Sequence, residues 1–349
     1  MAGEGGEASV GKIDFAPAAL AEFLDARFGP GALSIERIGG GQSNPTYFVD
    51  HGVRRLVLRK QPSGPILRGA HAIDREYRVL EALASTNVPV PRAMLFHAEP
   101  EPLGTPFYLM ERLEGRVFHD GALPGLEPKE RSGLYLGMAE ALAKLHAVRP
   151  GDVGLGDFGR PGNYFERQIG RWTRQLRESP GERIAELEAV ADWLPAHLPD
   201  DDGQVAIAHG DFRLGNLLFH PTKPEVIGIL DWELSTLGHP LADLGYCAMP
   251  WHTAPDEYGG IVGLDRAALG IPTEGEFLAH YYAHAVPTAP LLRFHLVFAL
   301  FRFAVIFVGI ADRVRTGTAA AANAAEFAPL AQRFARRALE AMEGPEQLS

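Results

Sequence analysis

Cysteine is almost absent from this 349-residue chain, in which Cys247 stands alone. One thiol excludes an internal disulfide and any cysteine-rich metal centre, and it is expected as a small buried apolar residue. Positive charge is also scarce. Lys and Arg number 33 against 44 Asp and Glu, a net charge of −11 with a pI near 5.6, which argues against nucleic-acid binding. The 13 histidines are scattered, none in a His-Glu-x-x-His spacing, so no zinc site is expected. Residues 1–12 are rich in Gly, Ala and Glu without an apolar stretch; they do not read as a signal peptide and predict a disordered tail. The long apolar run from Leu291 to Ile310 approaches a membrane span in length, but it carries Arg293, His295 and Arg302. Charge inside lipid is costly, so a buried helix is expected there and no membrane partner. No internal repeat stands out, and the length suits two lobes with substantial cores in a reducing cytoplasm.

What is present is concentrated in residues 209–233. Asp211 is followed five residues later by Asn216, then by the apolar Leu217 to Phe219. A proline-bearing turn, Pro221 to Pro224, leads into Val226 to Leu230, which ends at Asp231. Two strands joined by a tight turn run antiparallel, so Asn216 and Asp231 share the open end of the hairpin beside Asp211. Two oxygen ligands next to a third carboxylate suit a hard cation, and Mg²⁺ is the natural occupant because it takes its remaining ligands from water and phosphates.

This spacing resembles the protein-kinase catalytic loop, His-Arg-Asp with Asn five residues on and a later Asp-Phe-Gly. Here Gly210 replaces the arginine and Asp231-Trp232-Glu233 replaces Asp-Phe-Gly. Both departures resemble the small-molecule branch, the aminoglycoside phosphotransferase-like kinases. The resemblance implies that Asp211 is the catalytic base and that Asn216 and Asp231 are magnesium ligands. It also gives Arg213 the place of the loop cation that neutralises the moving phosphoryl group. His209 then supports the loop, and Glu233 supports either the metal or the loop.

The preceding region supplies the parts such a kinase needs. Between strands at Leu33 to Ile38 and Thr46 to Val49 lies Gly39-Gly40-Gly41-Gln42-Ser43-Asn44, where glycines let backbone amides approach an anion. Gly40, Gly41, Gln42, Ser43 and Asn44 are therefore nucleotide candidates. In the next strand, Leu56 to Lys60, Arg59 aligns with the kinase lysine, while Lys60 would face the opposite side of a regular strand. A helical stripe of Ile73, Tyr77, Leu80 and Leu83 within Ala70 to Ala84 places Glu76 where it can hold Arg59. A strand near Met94 to His97 and another over Pro106 to Leu113 complete this part. The latter resembles the strand running into the kinase hinge, which makes Met110, Glu111 and Leu113 adenine candidates.

The rest reads as helices: Lys129 to His146, Gly162 to Glu178, Glu182 to Trp193, Leu241 to Ala248, Glu274 to His284, Leu291 to Arg313 and Ala319 to Met342. Asp243, in Leu241-Ala242-Asp243-Leu244, resembles the family's buried aspartate that braces the catalytic loop. Arg167, Arg171 and Arg174 fall at i, i+4 and i+7, one basic stripe on a helix, and with Tyr164 they are candidates for meeting an anionic acceptor. A solvated face is the plain alternative. Together with His209 to Asn216 and Asp231 to Pro240, the stretch from Gly159 to Thr173 resembles the kinase domain of acyl-CoA dehydrogenase family members ten and eleven and their stand-alone bacterial relatives. That likeness runs from about Ile35 to Glu340 and implies a hydroxyacyl-CoA acceptor. Nothing resembles a flavin-binding dehydrogenase domain.

The expectation is an α+β, bilobal protein-kinase-like fold: a small β-rich lobe over residues 13–112 and a larger, mostly helical lobe over 113–349. It would be an ATP- and Mg²⁺-dependent phosphotransferase acting on a small-molecule alcohol, as a monomer or a homodimer. Alternatives are an aminoglycoside, choline, homoserine or sugar kinase of the same fold, and a pseudokinase that binds nucleotide without turnover. A protein kinase fits less well, because Asp243 follows Asp231 by only twelve residues and leaves little room for a peptide-docking platform.

Overall fold

The computed structural model describes residues 13–39, 44–64, 71–160, 162–317 and 329–348. The chain divides into two compact units, one running to Thr86 and taking in Val90–Glu114, the other made of Asn87–Pro89 and Gly115–Ser349. The fold is kinase-like α+β, with an antiparallel sheet in the first unit and a mostly helical second unit.

The first unit contains α1 (Pro17–Phe28), β1 (Leu33–Arg37), β2 (Thr46–His51), β3 (Arg54–Lys60), α2 (Ile73–Leu83), β4 (Ala93–His97) and β5 (Phe107–Glu111). Its strands pair antiparallel in the order β1-β2-β3-β5-β4. Alternate residues of β2 (Tyr47, Val49 and His51) are buried, as the two-residue period of a strand requires. Tyr47 and Val49 meet Leu20 and Leu24 of α1 in one core with Leu56, Leu58, Phe107 and Leu109. Helix α1 is an addition to the sequence reading: Pro17 starts it, and Leu20, Phe23 and Leu24 recur at helical spacing. The expected tail at residues 1–12 lies outside the described residues.

The second unit holds α3 (Pro128–Ala147), α4 (Tyr164–Glu178), α5 (Ala185–Ala196), β6 (Ala206–Ala208), β7 (Leu217–Phe219), β8 (Val226–Ile229), β9 (Thr236–Gly238), α6 (Pro240–Ala248), the short α7 (Arg266–Leu269), α8 (Glu274–His284), α9 (Arg293–Arg315) and α10 (Leu330–Met342). Strand β6 pairs with β9 and β7 with β8, both antiparallel. The described part of the helix expected over residues 319–342 is α10; the preceding residues 318–328 are not described. Helix α9 is long and apolar enough to cross a membrane, yet 78% of its most apolar window is buried within the protein. It packs against α4, α5, α6 and α10. Burial on nearly every side explains why its sequence is apolar all round rather than striped.

Candidate active site

The candidate catalytic residues Asp211 and Arg213 lie in the loop between β6 and β7, and a buried carboxylate holds that loop. Asp243 lies in α6, every residue of which is buried. Its Oδ2 accepts from the His209 amide at 2.6 Å and its Oδ1 from the Gly210 amide at 2.9 Å. Behind it, the Tyr281 hydroxyl donates to His146 Nδ1 at 2.8 Å, and His146 Nε2 lies 3.4 Å from Asp243 Oδ2. Burial opposes charge on Asp243, but the contacts with His146, His209 and Gly210 outweigh it and hold its pKa below the usual carboxylate range. Gly210 takes a positive φ of 82°, and a Cβ there would stand 2.8 Å from the Leu234 carbonyl oxygen. Glycine in place of the kinase arginine therefore has a steric cause.

His209 ties the loop to the hairpin. The Asp211 amide donates to His209 Nδ1 at 3.2 Å, which puts the ring proton on Nε2, and Nε2 donates to the Leu230 carbonyl at 2.9 Å. The Asp211 carboxylate is engaged on both oxygens. Oδ1 accepts from the Tyr246 hydroxyl at 2.5 Å; Oδ2 accepts from Asn216 Nδ2 at 2.7 Å and lies 3.4 Å from Arg213 Nε. Burial works against the Arg213 charge, but Asp211 outweighs it and raises the arginine pKa further.

Asn216 ends a short 3₁₀ turn, Leu214–Asn216, just before β7. Its carbonyl oxygen accepts from the Leu230 amide at 2.9 Å, so Asn216 and the Asp231 that comes after Leu230 sit at the same end of the hairpin. With Nδ2 turned to Asp211, Asn216 presents Oδ1 as the atom able to face a cation. Asp231 adopts φ 61° and ψ 65°, the left-handed region, which costs a non-glycine residue about 1–2 kcal/mol. Trp232 anchors the chain just beyond it: its side chain is buried, its Nε1 donates to the Ile229 carbonyl at 3.0 Å, and its ring lies 4.7 Å from that of His209. An all-oxygen pair of this kind fits Mg²⁺. Glu233 lies in the next 3₁₀ turn, Trp232–Leu234.

In the first unit, Arg59 Nε lies 2.7 Å from Glu76 Oε2. Glu76 is 1% exposed and also accepts from Asn44 Nδ2 at 2.6 Å and from the Tyr108 hydroxyl at 3.1 Å. Lys60 is fully buried on the other face of β3, 3.0 Å from Asp14 Oδ2. The side chain of Asn44, a nucleotide candidate, is buried, with Nδ2 on Glu76 and Oδ1 3.0 Å from His71 Nδ1. Its place two residues before β2 anchors it in the core. Gly40, Gly41, Gln42 and Ser43 lie outside the described residues. Met110 and Glu111 belong to β5, where the Glu111 amide donates to the Arg92 carbonyl at 3.0 Å, so any adenine contact from Glu111 would use its carbonyl. Leu113 comes after β5 in the same unit.

The three arginines of the stripe have different neighbours. The Arg167 guanidinium donates to the Gly162 carbonyl. With half-buried Tyr164, it lines a cavity of about 650 Å³ walled by Asp157, Arg160, Asp200, Asp201, Asp202, His239 and His295 among others. Arg171 and Arg174 border a separate depression with Glu178 and Asp312. Seven residues of helix place Arg167 and Arg174 about 10.5 Å apart along the axis, enough to give the ends of the stripe different neighbours. Burial, then the charge of Arg302, lowers the Arg171 pKa. None of Asp211, Asn216 or Asp231 lines the cavity.

Two residues of the catalytic loop's surroundings were not anticipated. Tyr246 lies three residues after Asp243, so both fall on one face of α6, a spacing that could have flagged it. Arg302, buried in α9, donates to the Gly210 carbonyl at 2.6 Å and lies against the rings of Trp172 and Tyr246. A lone arginine in an apolar helix was the available signal.

Comparisons with known proteins give the family and the fold. The model of the phosphotransferase enzyme family matches residues 34–277. Acyl-CoA dehydrogenase family member 10 of Mus musculus is 40% identical over 327 residues, covering 92% of this chain; the chain spans only 30% of that relative's length. A solved structure from Ralstonia eutropha JMP134, described as a candidate aminoglycoside phosphotransferase, is 43% identical, covers 94% of this chain and 98% of its own, and superposes with a TM-score of 0.84. An aminoglycoside phosphotransferase in complex with AMP-PNP and hygromycin B shares the fold at 13% identity and a TM-score of 0.62, over 94% of this chain and 99% of its own.

Proposed function

The chain belongs to the phosphotransferase enzyme family, and on that premise we propose that it transfers the γ-phosphoryl group of ATP to a hydroxyl group of a small molecule. The observation that carries this reading is the Asp211 carboxylate, held on both oxygens by Tyr246, Asn216 and Arg213 in a loop braced by Asp243. Asp211 orients the acceptor hydroxyl and takes its proton as the oxygen attacks the γ-phosphorus and ADP departs. Arg213 lies beside Asp211 and offsets the charge on the phosphoryl group. Arg59, kept in place by Glu76, offsets that on the nucleotide phosphates. Asn216 Oδ1 and the Asp231 carboxylate would hold Mg²⁺, which when bound neutralises phosphate charge. Catalysis is then positioning and charge neutralisation rather than covalent chemistry.

The first reading of the acceptor is a hydroxyacyl-CoA; what supports it is similarity over 92% of the chain to a relative named for acyl-CoA, of whose length the chain spans 30%. A second reading, an amine-bearing acceptor, is favoured by the cavity beside Tyr164, where Asp157, Asp200, Asp201 and Asp202 outnumber Arg160 and Arg167. The cavity is of a size that suits the unreacting part of a small molecule. The deciding experiment incubates the chain with ATP, Mg²⁺ and, separately, hydroxyacyl-CoAs, aminoglycosides and amino alcohols, reading the mass gain of one phosphate. Gain on the CoA esters alone supports the first reading, and gain on amines alone replaces it with the second. No gain on any alcohol, with nucleotide still bound, would leave a pseudokinase.

A further inference from the structure

Among the described residues, one group of three metal-capable side chains lies away from the catalytic loop: Glu140 on α3 with His280 and His284 on α8. We propose that these three residues bind a divalent transition-metal ion of the zinc class, which clamps α3 to α8. One ligand atom from each lies within 4.8 Å of the other two. His280 and His284 are four residues apart and share a helix face, with ring centroids 4.4 Å apart. His284 Nδ1 donates to the His280 carbonyl at 2.8 Å. That bond puts the ring proton on Nδ1 and leaves the Nε2 lone pair for a metal, the arrangement in which an outer hydrogen bond fixes the tautomer of a ligating histidine.

Glu140 brings a carboxylate from the helix packed against α8. Two imidazoles and one carboxylate select zinc-like ions over Mg²⁺, which prefers oxygen alone. Metal–ligand bonds of about 2.0–2.2 Å require the three atoms to draw closer than they stand. These half-buried and exposed side chains can do so by small rotations. Glu140 Oε1 is at present 2.8 Å from Lys144 Nζ, so an ion would compete with Lys144 for the carboxylate.

The zinc-free expectation weighed local motifs, whereas this third ligand comes from a helix distant in sequence. The location gives the site a consequence. Tyr281 lies between the two histidines on α8 and reaches inward through His146 to Asp243, which holds the catalytic loop. An ion here would fasten, from outside, the helix pair that braces the loop from inside.

The test titrates the full metal-stripped chain with Zn²⁺ by calorimetry, with Co²⁺ absorption as a second readout and Mg²⁺ for comparison. The expected result is one Zn²⁺ per chain at micromolar affinity, weakened at least tenfold by His284→Ala and several-fold by Glu140→Gln, and tightened by Lys144→Gln. Thermal stability should rise with Zn²⁺ in the parent chain and not in His284→Ala. Zn²⁺ affinity weaker than millimolar, or affinity unchanged in His284→Ala, overturns the proposal. Because His284 is exposed and Lys144 is half-buried at the surface, these variants test binding rather than folding.

Discussion

Two buried carboxylates, Glu76 in the first unit and Asp243 in the second, each 1% exposed, hold functional groups in different ways. Glu76 gathers side chains: the Arg59 guanidinium, the Asn44 amide and the Tyr108 hydroxyl. Asp243 gathers backbone: the amides of His209 and Gly210, with His146 behind. A carboxylate that holds side chains fixes the direction of one cation and leaves the main chain to the sheet. A carboxylate that holds amides fixes the path of a loop whatever side chains it carries, and so places Asp211 indirectly. The first arrangement should therefore be tunable and the second unforgiving.

The largest effect is expected from Asp243→Asn. The amide nitrogen that replaces one oxygen faces backbone donors, and breaking a buried charged cluster costs about 3–5 kcal/mol. Urea denaturation should show that loss, and phosphotransferase activity should fall at least in step. Retained activity with the stability loss would show that the loop holds its path without Asp243.

Acid should strain the second unit by another route. Burial lowers the pKa of His295 to about 3, well below the unfolded value of about 6.5. The unfolded chain therefore binds the extra proton between those values. Stability is full above pH 6.5 and declines as the pH falls toward 3, by on the order of a few kcal/mol. Asp243, with its depressed pKa, adds to the loss only below about pH 3.9, as the pH falls through its folded value. Trp172, Trp193, Trp232 and Trp251, all of the tryptophans, lie in the second unit, so their fluorescence during urea titrations at several pH values reads this unit directly. His295→Gln should flatten the slope between pH 6.5 and 4.

Glu76→Gln is expected to be milder. It removes the charge from Arg59's partner, at about 2 kcal/mol for a charged hydrogen bond, and should raise the KM for ATP roughly tenfold while lowering kcat less. A larger effect on stability than that of Asp243→Asn would invert the comparison. Tyr246→Phe is the smallest perturbation. Losing one hydrogen bond to Asp211, worth about 1 kcal/mol, should lower kcat several-fold with KM for ATP unchanged.

Asp211, Asn216 and Asp231 were legible in sequence because they fall within 21 residues and their relation depends on one hairpin. The pairing of Arg59 with Glu76 was legible because a strand and a helix of recognisable period carry them. Tyr246 and Arg302 reach the loop, and His146 reaches the Asp243 that braces it, only through helix packing, and no local pattern records which faces meet. The contacts of Asn44 with Glu76 and His71, some thirty residues on, were not legible because no local pattern records them. The spacing of Arg167, Arg171 and Arg174 shows that they share a face of α4, but periodicity does not report that Arg167 borders one depression and Arg171 and Arg174 another.

The central claim is that Asp211 acts in phosphoryl transfer rather than in nucleotide binding. It is tested most directly by comparing Asp211→Asn with the parent chain for phosphate transfer from ATP to the best acceptor and for ATP affinity by calorimetry. Transfer should fall by roughly 10²–10⁴-fold with ATP affinity within a few-fold of the parent. Transfer and affinity lost in equal proportion, or transfer left intact, would contradict it.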